Sequence, residues 1–222
     1  MRLILLGPPG AGKGTQAKSM AASLGVPHVS TGDMLRAAVS SGSEVGRRAK
    51  KYMDAGELVP DAVVVAIVAE RLREPDAAGG WLLDGFPRTE AQAAALDEAL
   101  AGLGQHLDRV LYLAVPDEVV VRRLSGRRTC RGCGANFHEE FMPPRKEGVC
   151  DACGGELYQR EDDEARSIRE RLAVYAAETE PLVARYRASD LLTEVSAGGT
   201  PGEVRAAIHA ALPGKTAAGG GA

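Results

Sequence analysis

Leu3-Ile4-Leu5-Leu6-Gly7-Pro8-Pro9-Gly10-Ala11-Gly12-Lys13-Gly14-Thr15 begins with four consecutive apolar residues and ends with a lysine set among glycines. The apolar run is short and does not alternate with polar residues, so it reads as a strand buried on both faces. The glycines allow a tight turn and let backbone N–H groups approach an anion without side-chain clash. Residues 15–22 are rich in helix formers, so the unit reads strand, glycine-rich loop, helix. The start of that helix adds a positive dipole end, and Lys13 adds a point charge for terminal phosphates. The spacing matches the general phosphate-loop pattern except after the lysine. There Gly14 stands where Ser or Thr is usual, and Thr15 follows, which weakens the case for direct hydroxyl ligation of Mg²⁺.

Working outward, strands are expected at 26–29, 81–84, 110–115 and 191–195, giving five with the first. Helices alternate with them. One follows Pro60-Asp61, with Val63, Val64, Ile67, Val68 and Leu72 at helical spacing; others lie at 91–101, 117–124 and 204–212. Ile168, Leu172, Tyr175 and Leu182 mark a long helix bent near Pro181. Such alternation predicts an α/β fold: a central parallel five-stranded sheet with helices on both faces, in three layers. The segments 1–29, 60–126 and 164–213 form this core. Residues 30–59 carry few large apolar groups and read as a small helical insertion, with Asp33 as a candidate cap for a helix from Met34. Residues 127–163 form a second insertion, too small for a hydrophobic core of its own. The Gly/Ala-rich stretch 214–222 is expected to be a disordered tail.

The net charge of −3 gives no global attraction to nucleic acid or anionic membrane. No apolar run approaches the roughly 20 residues of a membrane span, and the N-terminus lacks signal-peptide character. A cytoplasmic, reducing location is therefore expected, where four cysteines make poor disulfides. They fall as Cys130-x₂-Cys133 and Cys150-x₂-Cys153, with sixteen residues between the pairs, which fits a Cys₄ zinc site. His138 competes as a ligand, but paired knuckles favour four thiolates. Four protein ligands leave no open position, so the expected zinc is structural and replaces the missing core of the insertion.

Asp84 follows the strand at 81–83, at the carboxyl end where α/β sheets bind ligands. A carboxylate beside a phosphate loop can hold Mg²⁺ directly or through its waters. Arg88 can clamp a phosphate with two parallel N–H groups. Arg122, Arg123, Arg127 and Arg128 flank Gly126, and Arg160 and Arg171 bracket the acidic run 161–164. Gln92 has an amide suited to an adenine edge, although spacing alone reads it as a solvated helix residue. No His/Asp base stands out for a hydroxyl acceptor. A monophosphate needs none, because its second pKa near ~6 leaves it anionic at neutral pH.

Residues 7–17, with their GKGTQA stretch, resemble the phosphate loop of adenylate kinases. Ser30-Thr31-Gly32-Asp33-Met34 and Asp84-Gly85-Phe86-Pro87-Arg88-Thr89 resemble that family's two other signatures. The resemblance runs to about Leu212 and implies a P-loop fold with a zinc-containing lid. It implies reversible transfer between MgATP and AMP to give two ADP, in a monomer that maintains adenine nucleotide balance. It assigns ATP to Gly10, Ala11, Gly12, Lys13, Gly14, Thr15, Arg127, Asn136, Phe137 and Gly199. AMP is assigned to Thr31, Arg36, Glu57, Leu58, Val59, Gly85, Phe86, Pro87, Arg88, Gln92, Arg160 and Arg171. Catalysis falls to Lys13, Arg88, Arg123, Arg160 and Arg171, and water-mediated Mg²⁺ to Asp33 and Asp84. Within the enzyme class the alternatives are a UMP/CMP kinase and a kinase using GTP as donor. A nucleic-acid-binding zinc ribbon is disfavoured, because 127–163 sets six basic side chains against eight carboxylates. A nucleotide-dependent switch would leave Arg36, Asp84 and Arg88 unexplained.

Overall fold

The computed structural model describes residues 1–212 of the chain. Pro213 and the glycine-rich stretch expected to be disordered lie outside the described residues.

The first strand, β1 (Arg2–Leu6), is the middle of a five-stranded parallel sheet. Its neighbours are β3 (Trp81–Asp84) on one side and β4 (Arg109–Ala114) on the other. The edges are β2 (His28–Ser30), beside β3, and β8 (Leu192–Ser196), beside β4, giving the order β2-β3-β1-β4-β8. The pleat sends successive β1 side chains to opposite faces. Ile4 and Leu6 join a cluster with Val68, Leu72, Trp81, Leu96 and Tyr186. Leu3 and Leu5 join the other cluster, with Met20, Leu111, Val204 and Ile208. Each of these four β1 residues is at most 2% exposed. At about 1.5–3 kcal/mol per fully buried aliphatic side chain, this run alone secures the sheet between two helical layers.

The first layer is built by α4 (Asp61–Leu72), α5 (Glu90–Gly102) and α8 (Pro181–Ala188). The second is built by α1 (Lys13–Leu24) and α9 (Pro201–Ala211). The helix α6 (Asp117–Ser125) packs with α7 (Ala165–Val174) through Val120, Leu124 and Ile168. Between α7 and α8 the long helix does not simply bend at its proline. Residues Tyr175–Thr179 widen into a π turn, in which the Glu180 N–H donates to the Tyr175 carbonyl. Pro181 has no N–H and its ring crowds the carbonyl four residues back, so the backbone widens ahead of it.

The segment 30–59 holds α2 (Thr31–Ser40) and α3 (Glu44–Ala55). The cap of α2 is Ser30, not Asp33: the Asp33 N–H donates to the Ser30 hydroxyl, and the helix begins three residues before the expected start. Both residue types cap helices, but only Ser30 has the extended backbone a cap requires. The segment shares the main core through Leu35, Ala49 and Val59.

Beyond Gly126, in the second insertion, the chain forms a small antiparallel sheet. Its strands β5 (Arg127–Cys130), β6 (Asn136–His138) and β7 (Leu157–Tyr158) pair in the order β6-β5-β7. Its buried cluster holds Cys130, Cys150 and Leu157, packed with Ala135 and Phe137, and is separate from the two main clusters.

Candidate active site

A cleft of about 910 Å³ opens at the carboxyl end of the sheet, between the 30–59 segment and the small antiparallel sheet. The phosphate loop forms its floor. Gly12 takes φ +86° at the N-cap of α1, a conformation that favours glycine. Gly10 takes φ +79°, and an added Cβ would lie 3.0 Å from Leu124 Cγ. The helix starts at Lys13 itself, so this lysine sits on the first turn of α1. Its ammonium turns back and donates to the carbonyls of Gly7 (2.7 Å) and Pro8 (2.8 Å). Burial pulls its pKa down to about 7, against the partial support of Asp84. A polyphosphate arriving beside Lys13 would favour the ammonium form and raise that pKa again. Nucleotide binding near neutral pH is therefore expected to take up protons, less at pH 6 and more at pH 8. Calorimetric titration with ATP in two buffers of different ionisation enthalpy measures this; identical heats at pH 7 would contradict the expectation.

Asp84 ends β3 beside the loop, with one carboxylate oxygen 3.4 Å from where a Cβ on Gly14 would stand. His28 Nε2 lies 3.4 Å from the same oxygen. Thr31 is buried and donates to the Gly85 carbonyl at 2.8 Å, which joins α2 to the turn after β3. In that turn Arg88 Nε donates to the same carbonyl at 2.8 Å. Asp33 borders the same cleft as Asp84, with its carboxylate paired with Arg36 at 2.5 Å.

Two adjacent carboxylates collect the arginines. Asp163, whose side chain is fully buried, accepts both arms of Arg127 (2.7 and 2.5 Å) and one nitrogen of Arg171 at 3.2 Å. Asp162 accepts two nitrogens of Arg160, at 2.8 and 2.5 Å, and also pairs with Arg171 at 3.1 Å. Burial works to raise the Asp162 pKa, but Arg171, Arg160 and Arg127 outweigh it and hold it down at about 2. For Arg171 burial dominates and lowers its pKa to about 10. The acidic run read only as a neighbour of the arginines is therefore their scaffold. Arg123 is held separately, donating to the carbonyls of Ala197 (2.8 Å) and Gly199 (2.7 Å) beyond β8.

Nearly all the sequence-predicted residues border this one cleft: the loop, Arg36, the 57–59 segment, Arg88, Asn136, Phe137 and Gly199 among them. Phe86 does not, because its side chain is buried in the main core beneath the turn. Gln92 is no solvated helix residue; it is 1% exposed and borders the cleft. Phe141 also borders the cleft, with the Arg122 guanidinium 5.0 Å from its ring centroid. Sequence reasoning missed Phe141, although an aromatic residue in a polar insertion was a usable signal.

The four cysteine sulfurs lie within 4.8 Å of one another. The pairs Cys130–Cys153 and Cys133–Cys150 stand at 3.4 and 3.6 Å. Four sulfurs about 2.3 Å from a tetrahedral metal would be about 3.8 Å apart, so the residues fit such an ion. Backbone N–H groups of Gly132 and Ala152 point at Cys130 and Cys150. Donation at Cys133, with Gly132, pulls the Cys130 thiol down to about 6, toward the thiolate a metal needs. His138 is not a competing ligand. Its Nδ1 accepts from the N–H groups of Glu140 and Phe141, both at 3.0 Å, and its Nε2 lies 3.2 Å from the Arg122 carbonyl.

The family model described as adenylate kinase matches residues 5–191 of this chain. An adenylate kinase of Salinispora tropica is 59% identical over 199 residues, 90% of this chain and 92% of that one. One from Caldicellulosiruptor bescii is 58% identical over 192 residues, 86% and 89% of the two chains. One from Archaeoglobus fulgidus is 57% identical over 195 residues, 88% and 90%.

Proposed function

Since the chain belongs to the adenylate kinase family, and so transfers a phosphoryl group reversibly between ATP and AMP to give two ADP, we propose the division of labour within its cleft. The loop 10–15 takes the ATP phosphates, with the adenine side reaching Arg127, Asn136, Phe137 and Gly199. AMP lies across Thr31, Arg36, the 57–59 segment, the 85–88 turn and Gln92. The observation that carries this reading is the convergence of Lys13, Arg88, Arg123, Arg160 and Arg171 on one cleft. In the transfer, an AMP phosphate oxygen bonds to the γ-phosphorus as the bond from that phosphorus to the β–γ bridging oxygen breaks. Lys13 and the arginines hold the charge that spreads over the transferred group. Arg160 and Arg171 touch both substrates' phosphates in this reading, and Asp162 and Asp163 keep them from folding away.

Adenylate kinases use Mg²⁺ with ATP. Asp84, acceptor-only and set against the loop at Gly14, suits water-mediated contact with that ion. Asp33 joins it if Arg36 turns from its carboxylate to AMP. Bound Mg²⁺ neutralises charge on the β- and γ-phosphates. The ion in the Cys₄ site is zinc, by the chemistry of four thiolates with no open position, and its role is structural.

The segments 30–59 and 127–163 act as two rigid covers that close when both nucleotides are present, which excludes water from a phosphoryl group equally open to it. Residues 1–29, 60–126 and 164–212 stay fixed beneath. No helix among the described residues is long and apolar enough to cross a membrane. Four free thiols suit a reducing cytoplasm, and one chain supplies the whole cleft, as a monomer requires. A coupled assay of ADP formation tests this reading. AMP with ATP should far outrun UMP, CMP or GTP in either place, and ATP alone should be hydrolysed slowly. Equal rates with UMP or CMP, or hydrolysis without AMP as fast as transfer with it, would overturn it.

A further inference from the structure

The two ends of the buried Gln92 carboxamide are held by groups of opposite hydrogen-bonding character. Its Nε2 donates to Asp61 Oδ1 at 2.7 Å. Its Oε1 accepts from the backbone N–H of Arg88 at 2.8 Å. A carboxylate only accepts and a backbone N–H only donates. Turning the amide over would set oxygen against carboxylate and NH₂ against N–H, making two repulsive contacts from two hydrogen bonds.

Asp61 is itself held. It is the first residue of α4, where the helix dipole favours a negative charge. Its second oxygen accepts from the Thr89 hydroxyl at 2.9 Å, and Thr89 in turn caps α5 by accepting from the Gln92 N–H. Asp61 does not border the cleft, whereas Gln92 does. The Thr179 hydroxyl donates to the Arg88 carbonyl at 2.8 Å, fixing the other anchor.

We propose that Asp61 is a positioning residue that sets acceptor specificity, by locking Gln92 in the one orientation that reads a 6-aminopurine and rejects a 6-oxopurine. The proposal deepens the assignment of Gln92 to the acceptor base and rests on it. An amide has two N–H donors and an oxygen with two lone pairs, so one of each remains after the lock is made. The free N–H meets the unprotonated ring nitrogen N1 of adenine, and the free lone pair receives its 6-amino hydrogen. In a 6-oxopurine both positions invert, since N1 carries a proton and position 6 becomes an acceptor. A freely turning glutamine would serve either base; a locked one leaves two unmet groups against the wrong base.

The test is Asp61→Asn, which keeps shape and removes the acceptor-only character. Initial rates are measured with AMP and with IMP, its 6-oxo counterpart, at saturating ATP, together with the KM for ATP and the melting temperature. The AMP:IMP ratio of kcat/KM should fall roughly tenfold, through the acceptor KM, while the ATP KM and melting temperature move little. Asp61→Ser should shift the ratio the same way, should the first variant fold poorly. Gln92→Ala should raise the AMP KM and erase the preference. If Asp61→Asn lowers AMP and IMP activity equally, or moves only the melting temperature, the lock is overturned. The base contact then still stands if Gln92→Ala raises the AMP KM. If Gln92→Ala leaves that KM unchanged, the contact and the lock fall together.

Discussion

Lys13→Met should leave a folded enzyme whose turnover drops by roughly 10²–10³-fold. The lysine makes no core contact that methionine would lose. Its ammonium meets only the carbonyls of Gly7 and Pro8, and its stem occupies the space a methionine stem would fill. In the transfer the same ammonium would turn to the β- and γ-phosphates, where charge develops. The loss should appear in kcat more than in either KM, because the arginines and loop amides still bind both nucleotides. A coupled assay beside a thermal melt separates the two effects. A purified variant with undiminished turnover would remove Lys13 from the mechanism.

Removing the metal from the cysteine site should lower the melting temperature by an amount on the order of 10 °C. The lid's own cluster is Cys130, Cys150 and Leu157, with Ala135 and Phe137 beside it. So little apolar surface cannot hold three strands of four, three and two residues. Without the ion, four thiolates would repel at sulfur distances near 3.5 Å, so they must protonate or separate. The two main clusters hold no cysteine, and the sheet should survive the loss. Calorimetry before and after chelation, with elemental analysis for one zinc per chain, checks this. Equal melting temperatures, or no metal in protein made with adequate zinc, would refute it.

The parts that the sequence made legible share one property: their signal is local. Leu3 to Leu6 and the glycine loop announce themselves within thirteen residues, and the cysteine pairs do so by spacing. Ser30 and Asp33 are both good caps three residues apart, and only the backbone at Ser30 separates them. The π turn was visible as a helix holding Pro181, but not as a widening, since either response relieves the same crowding. The lid strands are too short for any alternation to register. Gln92 looked like a surface residue because its partner Asp61 lies 31 positions away, on another helix. Asp162 and Asp163 were read as bracketed by arginines, but which arginine each one holds depends on a fold that returns Arg127 to them from 36 residues upstream.

The order of strands has a consequence in time. The central strand is the first to be synthesised, and both of its partners come much later, with Leu3 paired to Leu82 and to Arg109. At about 5–20 residues per second, the first partner follows by roughly 4–16 s and the second by a few seconds more. Through that interval Leu3 to Leu6 is a nascent apolar strand with two open edges, the kind of segment that pairs with whatever strand it meets. Pro8 and Pro9, directly after it, cannot donate to a ladder and so keep any such pairing short. During synthesis, then, the residues that later lie deepest in the molecule are the ones that wait longest for their partners.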